Sequence, residues 1–204
     1  MRAPSEIAVK IAMDIFRARG GTVRTSEALN SGVQSRTLYW MRDEGILEPL
    51  SRGVFHLASE PLPERPDVVA VAQRIPAGVI SLISALDFHE LTTQVPEAVY
   101  GALSRGTKHP RIAYPRVRVV HMSPAAMSSG VEEHLMGETP VRVFGVAKTV
   151  ADCFKFRSMV GTDVAVEALR EAVQSRRTTP AELMHYARLN RVAKVMQPYL
   201  RALS

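Results

Sequence analysis

Cysteine is almost absent from this chain of 204 residues: Cys153 stands alone, so no internal disulfide can staple the fold. A lone thiol suits a reducing compartment, and its apolar neighbours Val150 and Phe154 predict a buried sulfur rather than a nucleophile. No apolar run approaches the roughly 18–20 residues that span a bilayer, so no membrane partner is expected. The opening Met1-Arg2-Ala3-Pro4-Ser5-Glu6 has no apolar core of a signal peptide, and the expected location is cytoplasmic. Neither G-x-x-x-x-G-K-[ST] nor G-x-G-x-x-G occurs, which removes two familiar phosphate cradles, and no cofactor is expected. There is no Cys pair, and His56, His89, His109, His121, His134 and His185 show no two-ligand helical spacing, so no metal site is expected either. Internal repeats, low-complexity tracts and coiled-coil runs are also missing.

What is present is ample core material, 46% hydrophobic residues, and a charged fraction of 23%, ordinary for a globular protein. The net charge of +6 favours a polyanionic partner. Its distribution is uneven. Residues 1–60 carry eight Lys/Arg against seven Asp/Glu, whereas Gly101–His121 holds Arg105, Lys108, Arg111, Arg116 and Arg118 with no acid. Beyond Glu171, six cations face one acid, Glu182.

The first sixty residues read as a small DNA-binding domain. Ser5 is a plausible N-cap for a helix whose apolar face is Ile7, Ile11 and Ile15 with Val9, Ala12 and Phe16, and Gly20-Gly21 ends it. Thr25 or Ser26 caps a short helix to Asn30. Ser35 caps a third, Arg36–Glu44, closed by Gly45. Two helices joined by a Gly-containing turn of about four residues make a helix-turn-helix. On the third helix Leu38 and Met41 point to the core, while Arg36, Tyr39, Trp40 and Asp43 face out with Thr37 at the flank. Arginine and aromatics on one face suit a helix in the major groove of double-stranded DNA. The alternative for Trp40 is packing against the rest of the protein. Ile46–Leu50, the turn Ser51-Arg52-Gly53 and Val54–Leu57 read as a hairpin, a wing with Arg52 at its tip facing phosphate or the minor groove.

Glu60–Pro66 carries three prolines and is the expected linker. The second domain, 67–204, reads as helices at 67–74 and 79–91, strands at 99–103 and 117–121 flanking the basic stretch, a hairpin at 131–144, and four helices from Ala147 to Ala202. The fold class is therefore α+β: an N-terminal winged helix-turn-helix over 1–60, then a mixed domain with a small sheet and C-terminal helices. The stretch bearing Arg105, Lys108, Arg111, Arg116 and Arg118 fits a second nucleic-acid contact, a dock for an acidic protein, or a solvated hairpin tip.

Catalysis finds weaker support. Asp87, His89 and Glu90 lie close in sequence but not on one helix face. Ser81 and Ser84 lack the G-x-S-x-G context of a nucleophile. Lys148, Asp152 and Lys155 share a helix face and, with Glu132, Glu133 or Glu138, sketch a nuclease or nucleotidyl-type cluster in the second domain. As a plain i, i+4 surface pair, Lys148–Asp152 is worth only about 0.3–0.5 kcal/mol.

Five blocks carry a family resemblance. They are Gly20–Leu29, Ser35–Gly45, Leu50–Leu57, Val79–Gln94 and Ala147–Phe156, and together the chain resembles AbiEi-type antitoxins through nearly its whole length. The resemblance implies a type IV toxin–antitoxin, or abortive-infection, system. It implies a winged helix that represses its own operon at inverted repeats, two copies to a site. It also implies a second domain that counteracts a nucleotidyltransferase-like toxin without a stable complex, and no enzyme. Family matching gives the DNA-reading role to Ser35, Arg36, Thr37, Tyr39, Trp40 and Arg52; at Trp40 relatives often carry a basic residue.

Overall fold

The computed structural model describes residues 3–108 and 111–203, and these divide into two compact units. The first comprises the described residues of Met1–Pro76, Pro110–Arg116 and His134–Val141; the second holds the remainder. The first unit thus continues past the linker expected at Glu60–Pro66.

In the first unit, α1 (Glu6–Arg17) starts where Ser5 Oγ accepts the Ala8 amide, the cap expected from the sequence. Its buried side is narrower than expected. Ala12 and Phe16 are in the core and Val9, Met13 and Ile15 pack partly on it, but Ile7 and Ile11 are 72% and 53% exposed. The stripe of six apolar positions exceeds the area this small core can cover.

Strand β1 (Thr22–Arg24) follows, then α2 (Thr25–Asn30), where Glu27 accepts the Arg24 amide. Helix α3 spans Ser35–Asp43. Gln34 takes the capping position without a side-chain bond, so Ser35 opens the helix as its first residue rather than capping it. The hairpin is β2 (Leu47–Ser51) and β3 (Val54–Leu57), turning at Arg52-Gly53 with Gly53 at φ +76°. That left-handed backbone favours glycine. β1 adds on the far side of β3, giving the antiparallel order β1-β3-β2. Three residues of β1 have no pattern of their own; the pairing with β3 defines them.

Phe16, Leu38, Met41, Leu47 and Leu57 are essentially inaccessible and form the core, each burial contributing about 1.5–3 kcal/mol. α4 (Pro66–Arg74) packs against β2 and β3, and its Gln73 Nε2 donates to the carbonyl of Thr22.

The second unit opens on a strand where a helix is expected. The segment expected as one helix from Val79 is a strand, β4 (Val79–Ile80), then α5 (Leu82–Phe88). β-branched Val79 and Ile80 pair with their neighbours before the chain turns into helix. β5 (Val99–Ser104) and β6 (Val117–Met122) flank the basic stretch, but they run parallel, with Val99 opposite Val117 and Ser104 opposite Met122. The stretch is therefore a return crossing and not the tip of a hairpin. Then come α6 (Pro124–Ser128), the hairpin β7 (Val131–Met136) and β8 (Thr139–Phe144), and the helices α7 (Val146–Lys155), α8 (Arg157–Val160), α9 (Thr162–Gln174), α10 (Pro180–Leu189) and α11 (Ala193–Arg201). The sheet order is β6-β5-β4-β8-β7. A core built from Leu82, Leu86, Phe144, Val150, Phe154, Leu169 and Met196 binds strands to helices. The α+β class read from the sequence is borne out. None of the described helices is long and apolar enough to cross a membrane.

Candidate nucleic-acid interface

Helix α3 is held by its inner face. Leu38 and Met41 are fully buried, and Thr37 joins them at 2% exposure. At 100° per residue Thr37 lies nearer to Met41 than to Arg36. It is a core hydroxyl and is not available to DNA in this structure. Trp40 is half-buried against the same core, so the packing alternative describes most of its ring. The exposed face consists of Ser35, Arg36, Tyr39, Arg42 and Asp43.

Arg42 is the residue the sequence reading missed. The same helical wheel puts it beside Tyr39, 60° further round, so the signal was there. Its guanidinium lies 5.1 Å from the Tyr39 ring centroid, a cation–π distance, and donates to Asp43 Oδ1 from Nε at 2.9 Å and from Nη2 at 2.6 Å. Tyr39 in turn meets Phe55 of β3 edge-on, centroids 6.5 Å apart. A chain of contacts thus runs from the hairpin through Tyr39 to Arg42 and orders the outer face of α3. Arg36 Nη2 donates to the Ala3 carbonyl at 3.4 Å. Arg52 is exposed at the hairpin turn, and the Gly53 carbonyl accepts the Thr25 amide at 2.9 Å, which ties that turn to the start of α2.

The second basic set is not gathered in one unit. Arg105, Lys108 and Arg118 belong to the second unit, Arg111 and Arg116 to the first. All five are exposed, and Arg118 pairs with Glu97 at 2.6 Å and lies 5.9 Å from the Tyr100 centroid.

The Lys148–Asp152 pair reads differently in three dimensions. Neither side chain is exposed, and Nζ lies 2.5 Å from Asp152 Oδ2. Lys148 Nζ also sits 4.0 Å from the Phe144 ring centroid, and Asn190 Nδ2 donates to Asp152 Oδ1 at 2.6 Å. This is a buried pair, not the surface pair expected. Burial pulls Lys148 below its ordinary pKa and lifts Asp152 above its own, and their mutual attraction opposes both shifts. Packed and mutually neutralised, the two serve the core. The Cys153 thiol is fully buried too, and desolvation, reinforced by Asp152, pushes its pKa well up. Above this pair opens a cleft of about 260 Å³ lined by Glu132, Arg177, Glu182, His185 and Tyr186. Its charges are mixed.

Three helices, the third with an exposed face of Ser35, Arg36, Tyr39, Arg42 and Asp43, followed by a hairpin, define a winged helix-turn-helix, a class of DNA-binding regulator. Residues 10–58 match the family described as "Transcriptional regulator, AbiEi antitoxin", so the AbiEi-type resemblance is borne out across this head, as a DNA-binding antitoxin regulator. No curated protein matches the chain in sequence. Among solved structures, the chain is similar to the RV2827C protein from Mycobacterium tuberculosis, with a TM-score of 0.62, 14% identity, and coverage of 98% of this chain and 82% of that one. At that identity the likeness establishes a shared fold over nearly the whole length.

Proposed function

We propose that the chain is the autorepressing antitoxin of a type IV toxin–antitoxin system. In this reading α3 enters the major groove with Arg36, Tyr39 and Ser35 toward the base edges, Arg42 shares the backbone with Arg52 at the wing tip, and two copies occupy an inverted repeat in the operator. The second domain counters a nucleotidyltransferase-like toxin without forming a stable complex, and Arg105 and Lys108 are among the exposed cations it offers to such an encounter.

The observation that carries the reading is the ordered outer face of α3, an aromatic with an arginine three residues to either side, and a further arginine on the adjacent hairpin. The experiment is a gel shift on the DNA upstream of the protein's own gene, at about 150 mM salt. Arg36→Ala combined with Arg52→Ala should weaken binding at least tenfold, about 1.4 kcal/mol or more. Unchanged affinity overturns the repressor reading. Co-expression with a nucleotidyltransferase-like toxin then tests the second half: the same double variant should still relieve toxicity, because neutralisation is assigned to the other domain.

A further inference from the structure

Around the hairpin turn three side-chain atoms are buried without a hydrogen-bond partner: Thr25 Oγ1, Ser51 Oγ and Arg74 Nε. All three belong to residues at or against that turn. A side chain built onto Gly53 would meet Thr25 Oγ1 at 3.6 Å and Arg74 Nη1 at 3.7 Å, and Ser51, itself 6% exposed, closes the same turn opposite Val54. Arg74 comes from α4, which packs on β2 and β3, and it makes no hydrogen bond or ion pair among the described residues. A guanidinium stays charged at any working pH. Holding it part-buried beside two hydroxyls, with no carboxylate paired to it, costs stability unless an anion completes the set.

We propose that Arg74, set beside Thr25 and Ser51 at the root of the wing and only partly buried, takes one phosphate of the DNA backbone through the exposed part of its guanidinium. The inference rests on the DNA-binding reading and extends it. Arg74 lies outside residues 10–58, so the family match does not assign it a role. The fork of a guanidinium suits a phosphate oxyanion, and Arg74 Nη1 lies against Gly53, the residue after the exposed Arg52. The wing then grips the duplex with two arginines, an exposed one at its tip and a braced one at its root. α4 groups with the head through its packing on β2 and β3 and the Gln73 hydrogen bond to Thr22.

The test measures affinity for the upstream duplex and for a scrambled duplex from 50 to 200 mM salt, with the full chain as wild type, Arg74→Gln and Arg74→Lys. One lost phosphate contact lowers the slope of log K against log salt by about 0.9, so that fourfold salt rise should weaken wild type about 3.5-fold more than Arg74→Gln. The deficit should be equal on both duplexes, because a backbone contact carries no sequence information. Arg74→Lys should restore the slope. Without DNA, Arg74→Gln should melt at or above the wild-type temperature, since an unpaired charge has been removed. An unaltered slope, a deficit confined to the upstream duplex, or a melting temperature lowered as far as that of Leu38→Ala overturns the phosphate contact while leaving the repressor reading intact. Failure of wild type to bind either duplex overturns both.

Discussion

Lys148 and Asp152 face each other across one turn of α7, 2.5 Å apart, with Asn190 of the following helical layer bonded to the second carboxylate oxygen. Removing one partner strands the other without water. Asp152→Ala should therefore cost about 3–5 kcal/mol, read by urea denaturation of the full chain. Lys148→Met with Asp152→Leu should recover most of that loss. If Asp152→Ala unfolds at the wild-type midpoint, the pair is not structural. A loss of any nucleic-acid cleavage in Asp152→Ala would thus report on folding first; His185→Ala, at the exposed edge of the cleft, is the cleaner probe of chemistry there.

Tyr39 and Trp40 are adjacent on α3 but differ in burial, and their substitutions should separate. Trp40→Ala removes a ring packed on the core and should destabilise the head by about 3 kcal/mol or somewhat less, given its partial exposure. Tyr39→Ala should cost far less stability yet weaken DNA binding, because it also releases Arg42 from its stacked position. Thermal melts and gel shifts on both variants check this; equal effects in both assays contradict it.

Gly53→Ala forces a side chain into φ +76°, at a cost of about 1–2 kcal/mol. The strain falls on the turn that carries Arg52, so DNA affinity should drop together with melting temperature. Gly45 also lies at positive φ, +73°, but has open space around it, and Gly45→Ala should lower the melting temperature without changing DNA affinity once folded.

Glu182 accepts the Thr179 amide and the hydroxyls of Thr178 and Thr179, and these bonds, led by the amide, hold its carboxyl below the usual value of 4.5. A depressed folded value means that the contribution to stability is fully present above pH about 4.5 and fades as pH falls through the lower folded value. Titration of the Glu182 side-chain carbonyl carbon by NMR should show that lowered midpoint, and Thr179→Val should return it toward 4.5.

Much of this was legible in the residues. Amphipathic spacing gave the three head helices, although of the expected caps only Ser5 holds, since Arg24 and Gln34 take the positions read as Thr25 or Ser26 and Ser35, and Gly53 between two apolar runs gave the hairpin. The rest depended on long-range partners. β1 and β4 exist because other strands pair with them, and three or two residues hold too little pattern to announce a strand. The parallel alignment of β5 and β6 leaves no local trace. Lys148–Asp152 shows why spacing is not enough: i, i+4 charges look the same in sequence whether they lie in water or beneath α10. Of the interface, Arg36, Tyr39 and Arg52 emerged as exposed where periodicity put them, whereas Thr37 was misplaced by reading one flank of the wheel too generously. Arg74 could not be anticipated, because nothing in its own helix says that it reaches the wing.

The division of the chain into interleaved units has a practical outcome. The first unit claims His134–Val141 and the described stretch ending at Arg116 as well as the described residues up to Pro76. It is accordingly not a detachable cassette: a cut after Pro76 would strip it of two pieces of its own. A chimera that exchanges heads between relatives has to graft three segments where a simple fusion would graft one.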